Sequence, residues 1–426
     1  MVYKRRGMKD KAIEKLLQAE KERQLYDVEL IPSENYVSDD VLEALGSVFT
    51  NKYSEGYPGK RYYGGQKNTD QVETLAIERA KELFHADHAN VQPHSGASAN
   101  EAVYYAWLES GDTVLAMDLS HGGHLTHGAP VTRSAKQYNF VRYKVKDVDT
   151  GEIDYEQLRS LALEHQPKII LAGFSSYSRE LDYEKFAEIG NEVGALLVAD
   201  VAHIAGLIAG GVAKNPLDCG FHVLTTTTHK TLRGPRGGMI LSKGTVSNPL
   251  KAPKKTIDNI PTLIDRAVFP GIQGGPQMHS IAAKAVALYE AMQPEFKIYA
   301  QNILDNAQVL AEALKERGFV LISGGTSNHM MVIDIMKSYG FDGRKFQQAL
   351  ESVGITLNSN VIPDDPLPAF APSGVRLGTP ALTTKGFGQD DMIIVADWLK
   401  YVAENIENGS DLEEVKKEIH NFMKNI

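Results

Sequence analysis

One cysteine, Cys219, stands in 426 residues. A single thiol excludes an internal disulfide framework and fits a reducing cytosol. Basic excess is missing as well: 45 Lys and Arg against 54 Asp and Glu leave a net charge of −9. That balance argues against nucleic acid or an anionic membrane as the main partner. Long apolar runs are also missing. The most membrane-like window, 195–213, carries Asp200 and His203 in its middle and Gly206, Gly210 and Gly211 beyond them. A buried strand and a turn are expected there rather than a membrane span. Lys4-Arg5-Arg6 is followed by no apolar stretch, so no secretory signal is expected and the expected location is the cytoplasm. No internal repeat or low-complexity tract is evident.

Hydrophobic residues make up 42% of the chain, enough for a sizeable core. The length exceeds one ordinary domain, so two domains are expected. Apolar periodicity predicts helices over 9–30, 38–49, 69–84, 101–108, 183–193 and 278–292, with strands near 89–93, 113–117, 168–172, 196–201 and 222–225. Strand and helix alternate, which predicts a mostly parallel sheet with helices on both faces. Ligands collect beyond the carboxyl ends of such strands. Ser175, Asp200, His203 and Lys230 lie just past those ends. Residues 245–268, rich in Pro, Lys and Ser, read as a loop insertion. From Pro294 the pattern changes and a second domain is expected, closed by helices from Asp390 and Asp411.

Several stretches carry chemistry. Thr225-Thr226-Thr227-Thr228-His229-Lys230-Thr231-Leu232-Arg233-Gly234-Pro235-Arg236-Gly237-Gly238 reads as a strand end and an irregular turn. A lysine held there near arginines and away from water is a neutral nucleophile; a solvated surface lysine is the bland alternative. It is no Walker loop, because His229 precedes Lys230. His94-Ser95-Gly96-Ala97-Ser98-Ala99-Asn100 links a strand to a helix, so its N–H groups are offered to a phosphate, or Ser95 simply caps the helix. Asp200 ends an apolar strand and needs a buried partner. His121, His124 and His127 recur every third residue, but the glycines between them argue against a metal-binding helix face, and no metal is expected. A neutral imidazole stacked on a flat ligand is the better use. The loop 51–65 holds four tyrosines and four glycines and reads as a binding loop. Lysine, buried aspartate, phosphate-ready helix start, stacking histidine and the later Arg376 together fit pyridoxal phosphate and an amino-acid carboxylate.

These motifs, with Leu30-Ile31-Pro32-Ser33-Glu34-Asn35-Tyr36, Gly271 to Pro276 and Ser373 to Pro380, resemble the serine hydroxymethyltransferase family of aspartate-aminotransferase-like enzymes. The resemblance implies the pyridoxal-phosphate fold of type I, an α/β large domain with a mostly parallel sheet and a smaller α+β C-terminal domain. It implies a helical arm over 1–58, a cofactor-binding domain over 59–293 and a small domain over 294–426. Lys230 resembles the lysine that binds the cofactor covalently, with His229 beside it. Asp200 would pair with the pyridinium, His203 lie near the ring hydroxyl and His124 stack on the ring. Ser95, Gly96 and Ala97 resemble the phosphate loop, with Ser175 and Thr227 as further cofactor contacts. Ser33, Tyr63 and Arg376 would hold the substrate. Tyr53, Glu55, Tyr62, Tyr63, Gly274 and Gly275 would enter from the partner subunit, which implies a homodimer with shared active sites. Leu119, Gly123, His124, Leu125, Asn360, Pro368, Ala369 and Phe370, with Glu55 and Tyr62, sit where tetrahydrofolate is bound.

The implied reaction belongs to one-carbon metabolism and serine and glycine biosynthesis: serine and tetrahydrofolate to glycine and methylenetetrahydrofolate. A folate-independent threonine or β-hydroxy-amino-acid aldolase is the nearest alternative. The chain departs from the family pattern at Gln66, at Pro368-Ala369-Phe370, at Val361-Ile362 and in 245–268, mostly on the folate side.

Overall fold

The computed structural model describes residues 7–244, 259–407 and 409–426. A seven-stranded sheet forms the centre. Its strands in chain order are β1 (His88–Asn90), β2 (Thr113–Met117), β3 (Asn139–Tyr143), β4 (Ile169–Gly173), β5 (Leu196–Asp200), β6 (Val223–Thr227) and β7 (Gly238–Ser242). In space they run β1-β7-β6-β5-β4-β2-β3. Only β7 is antiparallel to its neighbours. Every residue of β4 to β7 is buried. Continuous apolar strands such as Leu196-Leu197-Val198-Ala199 are what a sheet covered on both faces requires. Truncating one of them, Leu197, leaves a cavity costing about 2–5 kcal/mol.

A second sheet, wholly antiparallel, follows the order Val320–Leu321, Met330–Asp334, Gly374–Gly378 and Asn358–Asn360. The helix Pro294–Glu316 joins the two parts. Phe296, Tyr299, Ala300 and Ile303 pack into the core of the large sheet, while Ala307, Leu310, Ala311 and Leu314 pack into the core of the small one. One helical stripe of 3.6-residue period thus serves both cores in turn. The mostly parallel α/β body with a smaller α+β part agrees with the expectation.

The differences have local causes. The first helix, α1, spans Lys11–Tyr26 and stops before 30, because Val28–Glu29 pairs as a strand with Ile355 and Thr356. Val28 and Leu30 are buried in the small core, whereas Ile13, Leu16, Leu17 and Leu25 of α1 stay exposed. The helix expected over 101–108 begins earlier: α2 spans Gly96–Trp107, started by the Ser95 cap. Three of the four threonines, Thr225 to Thr227, lie inside β6 rather than in the turn, as β-branched residues favour. Of the expected insertion, 245–258 lies outside the described residues, and the rest is largely helical. Asn259 accepts from the Thr262 N–H and Pro261 stands in the first turn, which starts a helix at Ile260–Arg266. No described helix is long and apolar enough to cross a membrane.

Candidate active site

A cavity of about 360 Å³ opens at the carboxyl ends of β5 and β6. It gathers Ser95, Gly96, Ala97, His124, Ser175 and Asp200. Ser33, His203, Thr227, His229, Lys230 and Arg376 of the expected residues line it too, and Glu34, Phe174, Ala202 and Arg236 join them. The loops after the parallel strands bring Asp200, His203 and Lys230 to one edge, whereas Ser33 reaches it from the arm beyond Val28–Glu29 and Arg376 from a strand of the small antiparallel sheet.

The start of α2 supplies the anion cradle. Ser95 Oγ accepts from Ser98 N at 3.1 Å, and the first N–H groups of the helix have no acceptor within it. Gly238 makes this turn possible: a Cβ there would sit 2.3 Å from the Ser95 carbonyl oxygen.

Asp200 is the last residue of β5. Its Oδ2 accepts from Asn100 Nδ2 at 2.8 Å and from His127 Nε2 at 3.0 Å, and its Oδ1 accepts from Ala202 N at 3.1 Å. Burial by itself would raise its pKa, but the hydrogen bonds from His127 and Asn100 outweigh it and hold the carboxyl well below its ordinary range. The His124 N–H donates to His127 Nδ1 at 3.1 Å, which leaves the His127 ring proton on Nε2, facing Asp200. Reading by sequence missed His127 and Asn100 as supports. Their signal was present in the three-residue histidine spacing and the helix start, but the partner of His127 is 73 residues away. Ligating atoms of His124, His127 and Asp200 lie within 4.8 Å of one another, a spacing that the His127–Asp200 hydrogen bond produces without an ion.

The three histidines take separate roles. His121 is buried under the loop beyond 360, where its Nε2 lies 3.4 Å from Asp364. His124 faces the cavity, and burial lowers its pKa to about 4, so the ring is neutral at pH 7. His229 is also neutral, with burial and then the Arg236 and Lys230 charges lowering its pKa to about 3. His203 stacks on buried His329, ring centroids 5.5 Å apart, a partner that sequence reasoning did not foresee.

Lys230 is buried, and its backbone is pinned on both sides. Asn35 Nδ2 donates to its carbonyl at 2.9 Å, and next door Thr231 Oγ1 donates to the His203 carbonyl at 2.9 Å. Burial lowers its pKa to about 8; the Asp200 carboxylate opposes this, and the guanidiniums of Arg376 and Arg236 add to it. The free amine is therefore accessible near neutral pH. In the cofactor-free chain, reaction of Lys230 with a small aldehyde should speed up with pH and level off above about 8. Borohydride reduction and mass analysis of the Lys230 peptide give the rate. A midpoint near 10.5, the ordinary lysine value, contradicts the geometry.

Arg376 rises from the strand Gly374–Gly378. Its Nε donates to Asn358 Oδ1 at 3.1 Å, and its Nη1 donates to the Ser175 carbonyl and to Ser175 Oγ. Burial lowers its pKa to about 10, which still leaves it charged at pH 7. These contacts fix the plane of the guanidinium fork.

A second cavity of about 310 Å³ shares His124 and Ser175 with the first. Leu119, Gly123, Leu125, Asn360 and Ala369 line it. Pro368 and Phe370 do not, and Phe370 points into solvent at 81% exposure. Tyr53, Glu55, Tyr62, Tyr63, Gly274 and Gly275 do not line the Lys230 cavity. Most of them form their own cluster. Tyr53 OH is 3.4 Å from Glu55 Oε1, the Tyr53 and Tyr63 rings are 5.1 Å apart, and the 274–275 turn packs on Glu55 and Tyr53.

A buried amine of lowered pKa, a buried ionised carboxylate, a helix start bared to an anion and a neutral imidazole, all facing one cavity, suit pyridoxal phosphate. Over residues 7–399 the chain matches the family described as serine hydroxymethyltransferase. With nearly the whole chain inside that match, it belongs to the serine hydroxymethyltransferase family, the pyridoxal-phosphate enzymes that interconvert L-serine and tetrahydrofolate with glycine and 5,10-methylenetetrahydrofolate.

Proposed function

We propose that Lys230 binds the cofactor covalently and that this cavity and its neighbour together carry the hydroxymethyl transfer. The carrying observation is that an amine, a carboxylate, an anion cradle and a guanidinium meet in one cavity that shares His124 and Ser175 with a second. Pyridoxal phosphate, when bound, supplies an electron sink for the bond broken at the amino acid's Cα. Asp200, kept ionised, holds a proton on the ring nitrogen. His124 covers the ring face, and His203 and Thr227 flank it. The N–H groups at Ser95, Gly96 and Ala97 take the phosphate. Arg376, with Ser33, takes the substrate carboxylate through charge-assisted hydrogen bonds. The second cavity takes tetrahydrofolate, with Leu119, Leu125 and Asn360 against it.

The shared site of a homodimer completes the proposal. Tyr62 is 75% exposed and Leu16 of α1 is 64% exposed, so both the tyrosine loop and the arm present apolar surface that a second copy would cover. Glu55 of one copy then serves the Lys230 cavity of the other, moving a proton at the serine hydroxyl. We place the arm at 1–58, the large domain at 59–293 and the small domain at 294–426, supported by the switch of cores along Pro294–Glu316. A cytoplasmic location is supported by the single cysteine.

Mixing Lys230→Ala protein with Glu55→Gln protein tests the sharing. Each mixed dimer holds one site with both native residues, so folate-dependent serine cleavage should return to about a quarter of the native rate when half the dimers are mixed. That figure is an order-of-magnitude estimate from counting intact sites. Subunit exchange proved by mass labelling, without any recovery, speaks against a shared site.

A further inference from the structure

The helix Met278–Ala291 (α3) carries a lysine on its buried face. Lys284 stands among Ile281, Ala283, Ala285, Ala287 and Leu288, all buried, and is itself 2% exposed. A buried amine is costly unless its donors are met. Lys284 Nζ donates to three carbonyls: Val91 at 2.7 Å, Gly238 at 2.8 Å and Pro93 at 3.0 Å. Three acceptors need three N–H donors, which only the protonated amine offers. Burial lowers its pKa to about 7, and the Glu73 carboxylate works the other way.

The place of these carbonyls matters. Val91 and Pro93 follow the end of β1, and Gly238 opens β7, where the two strands part and the chain runs into Ser95. One backbone bond, from Gly238 N to the Pro93 carbonyl at 3.0 Å, closes the sheet here, and beyond it the strands separate. Gln273 fills the gaps left over: its Nε2 donates to the Gln92 carbonyl at 3.0 Å, and its Oε1 accepts from His94 N at 3.1 Å. Three successive carbonyls before the phosphate turn are therefore held by two side chains. Lys284 also touches the other side of the site. A Cβ on Gly237 would lie 2.4 Å from Lys284 Cε, so the end of the Lys230 turn is moulded against this side chain.

The geometry points to Lys284 as a positioning residue that holds the 95–97 turn in its phosphate-binding position. It does so without lining the cavity, by tying the parting ends of β1 and β7 together. This inference rests on the proposed role of Ser95, Gly96 and Ala97. A merely structural lysine would affect every ligand of the cavity alike. A positioning lysine affects the phosphate end.

The test compares pyridoxal phosphate with pyridoxal, which lacks the phosphate, binding to the full-length chain stripped of cofactor. Lys284→Met should weaken pyridoxal phosphate binding about tenfold or more, as loss of a charge-assisted contact of about 1.5 kcal/mol implies, and change pyridoxal binding less than about twofold. Gly237→Ala, which displaces the ammonium while leaving the lysine in place, should show the same selective loss and decides the matter if Lys284→Met does not fold. Equal weakening of both ligands, or a native preference for the phosphate ester in either folded variant, overturns the proposal. A wild-type chain that binds the two ligands equally overturns the phosphate reading of 95–97, and this proposal with it.

Discussion

Lys230→Ala should lower folate-dependent serine cleavage by about 10³-fold or more, the scale expected when a covalent group is removed. The loss has no ready substitute within the site. His229, next in sequence, has its pKa lowered to about 3 by burial and is a poor proton carrier at neutral pH. Lys284, the other deeply buried amine discussed above, is committed to three carbonyls. The anion cradle at Ser95 and the Asp200 carboxylate remain, so the variant should still take up pyridoxal phosphate, though less tightly. Absorbance of the bound cofactor and steady-state turnover measure the two effects separately. Borohydride should label the Lys230 peptide in the native protein and leave the variant unlabelled. Label on another lysine in the native protein removes the assignment.

Asp200→Asn should cost the next largest amount, about 10²-fold or more in turnover, because the charge that holds a proton on the ring nitrogen is gone. The fold should suffer too. Asp200 accepts three hydrogen bonds, from Asn100, His127 and Ala202. An asparagine amide can accept with one end only, so a buried donor is left facing its NH₂ group at a cost of about 1–3 kcal/mol. The native carboxylate has a lowered pKa, so its contribution to stability is full above the ordinary value of 3.8 and is lost as pH falls below it. The variant should therefore melt earlier at pH 7 and lose less additional stability in acid than the native protein. Near-normal turnover of Asp200→Asn with native cofactor absorbance would falsify the role given to this carboxylate.

Much of the architecture was legible because its causes are local. Asp10, Ser38 and Ser95 each accept a backbone N–H from the first turn that follows them, and such caps are written in a few adjacent residues. The apolar runs of β4 and β5 mark buried parallel strands for the same reason. Where local signals failed, a distant partner decided. The arm helix ends early because Val28–Glu29 finds a strand at Ile355–Thr356, more than three hundred residues on. Gly238 to Ser242 became an antiparallel strand between β6 and β1, a pairing that no periodicity announces.

The same division runs through the site. The identity of the chemistry was set by residue types in short motifs: Lys230 after its threonines, Asp200 at a strand end, Ser95 before a helix, Arg376 in its strand. Only the tertiary structure decided which histidine does what. His121, His124 and His127 are equivalent by spacing, yet one meets Asp364, one faces the cavity and one supports Asp200. It also decided that Lys284 is no surface charge but the tie between two strand ends. The reason is physical: caps, turns and strand runs depend on neighbours in the chain, whereas a buried charge is defined by the partners that satisfy it, and folding alone brings those partners within about 3 Å.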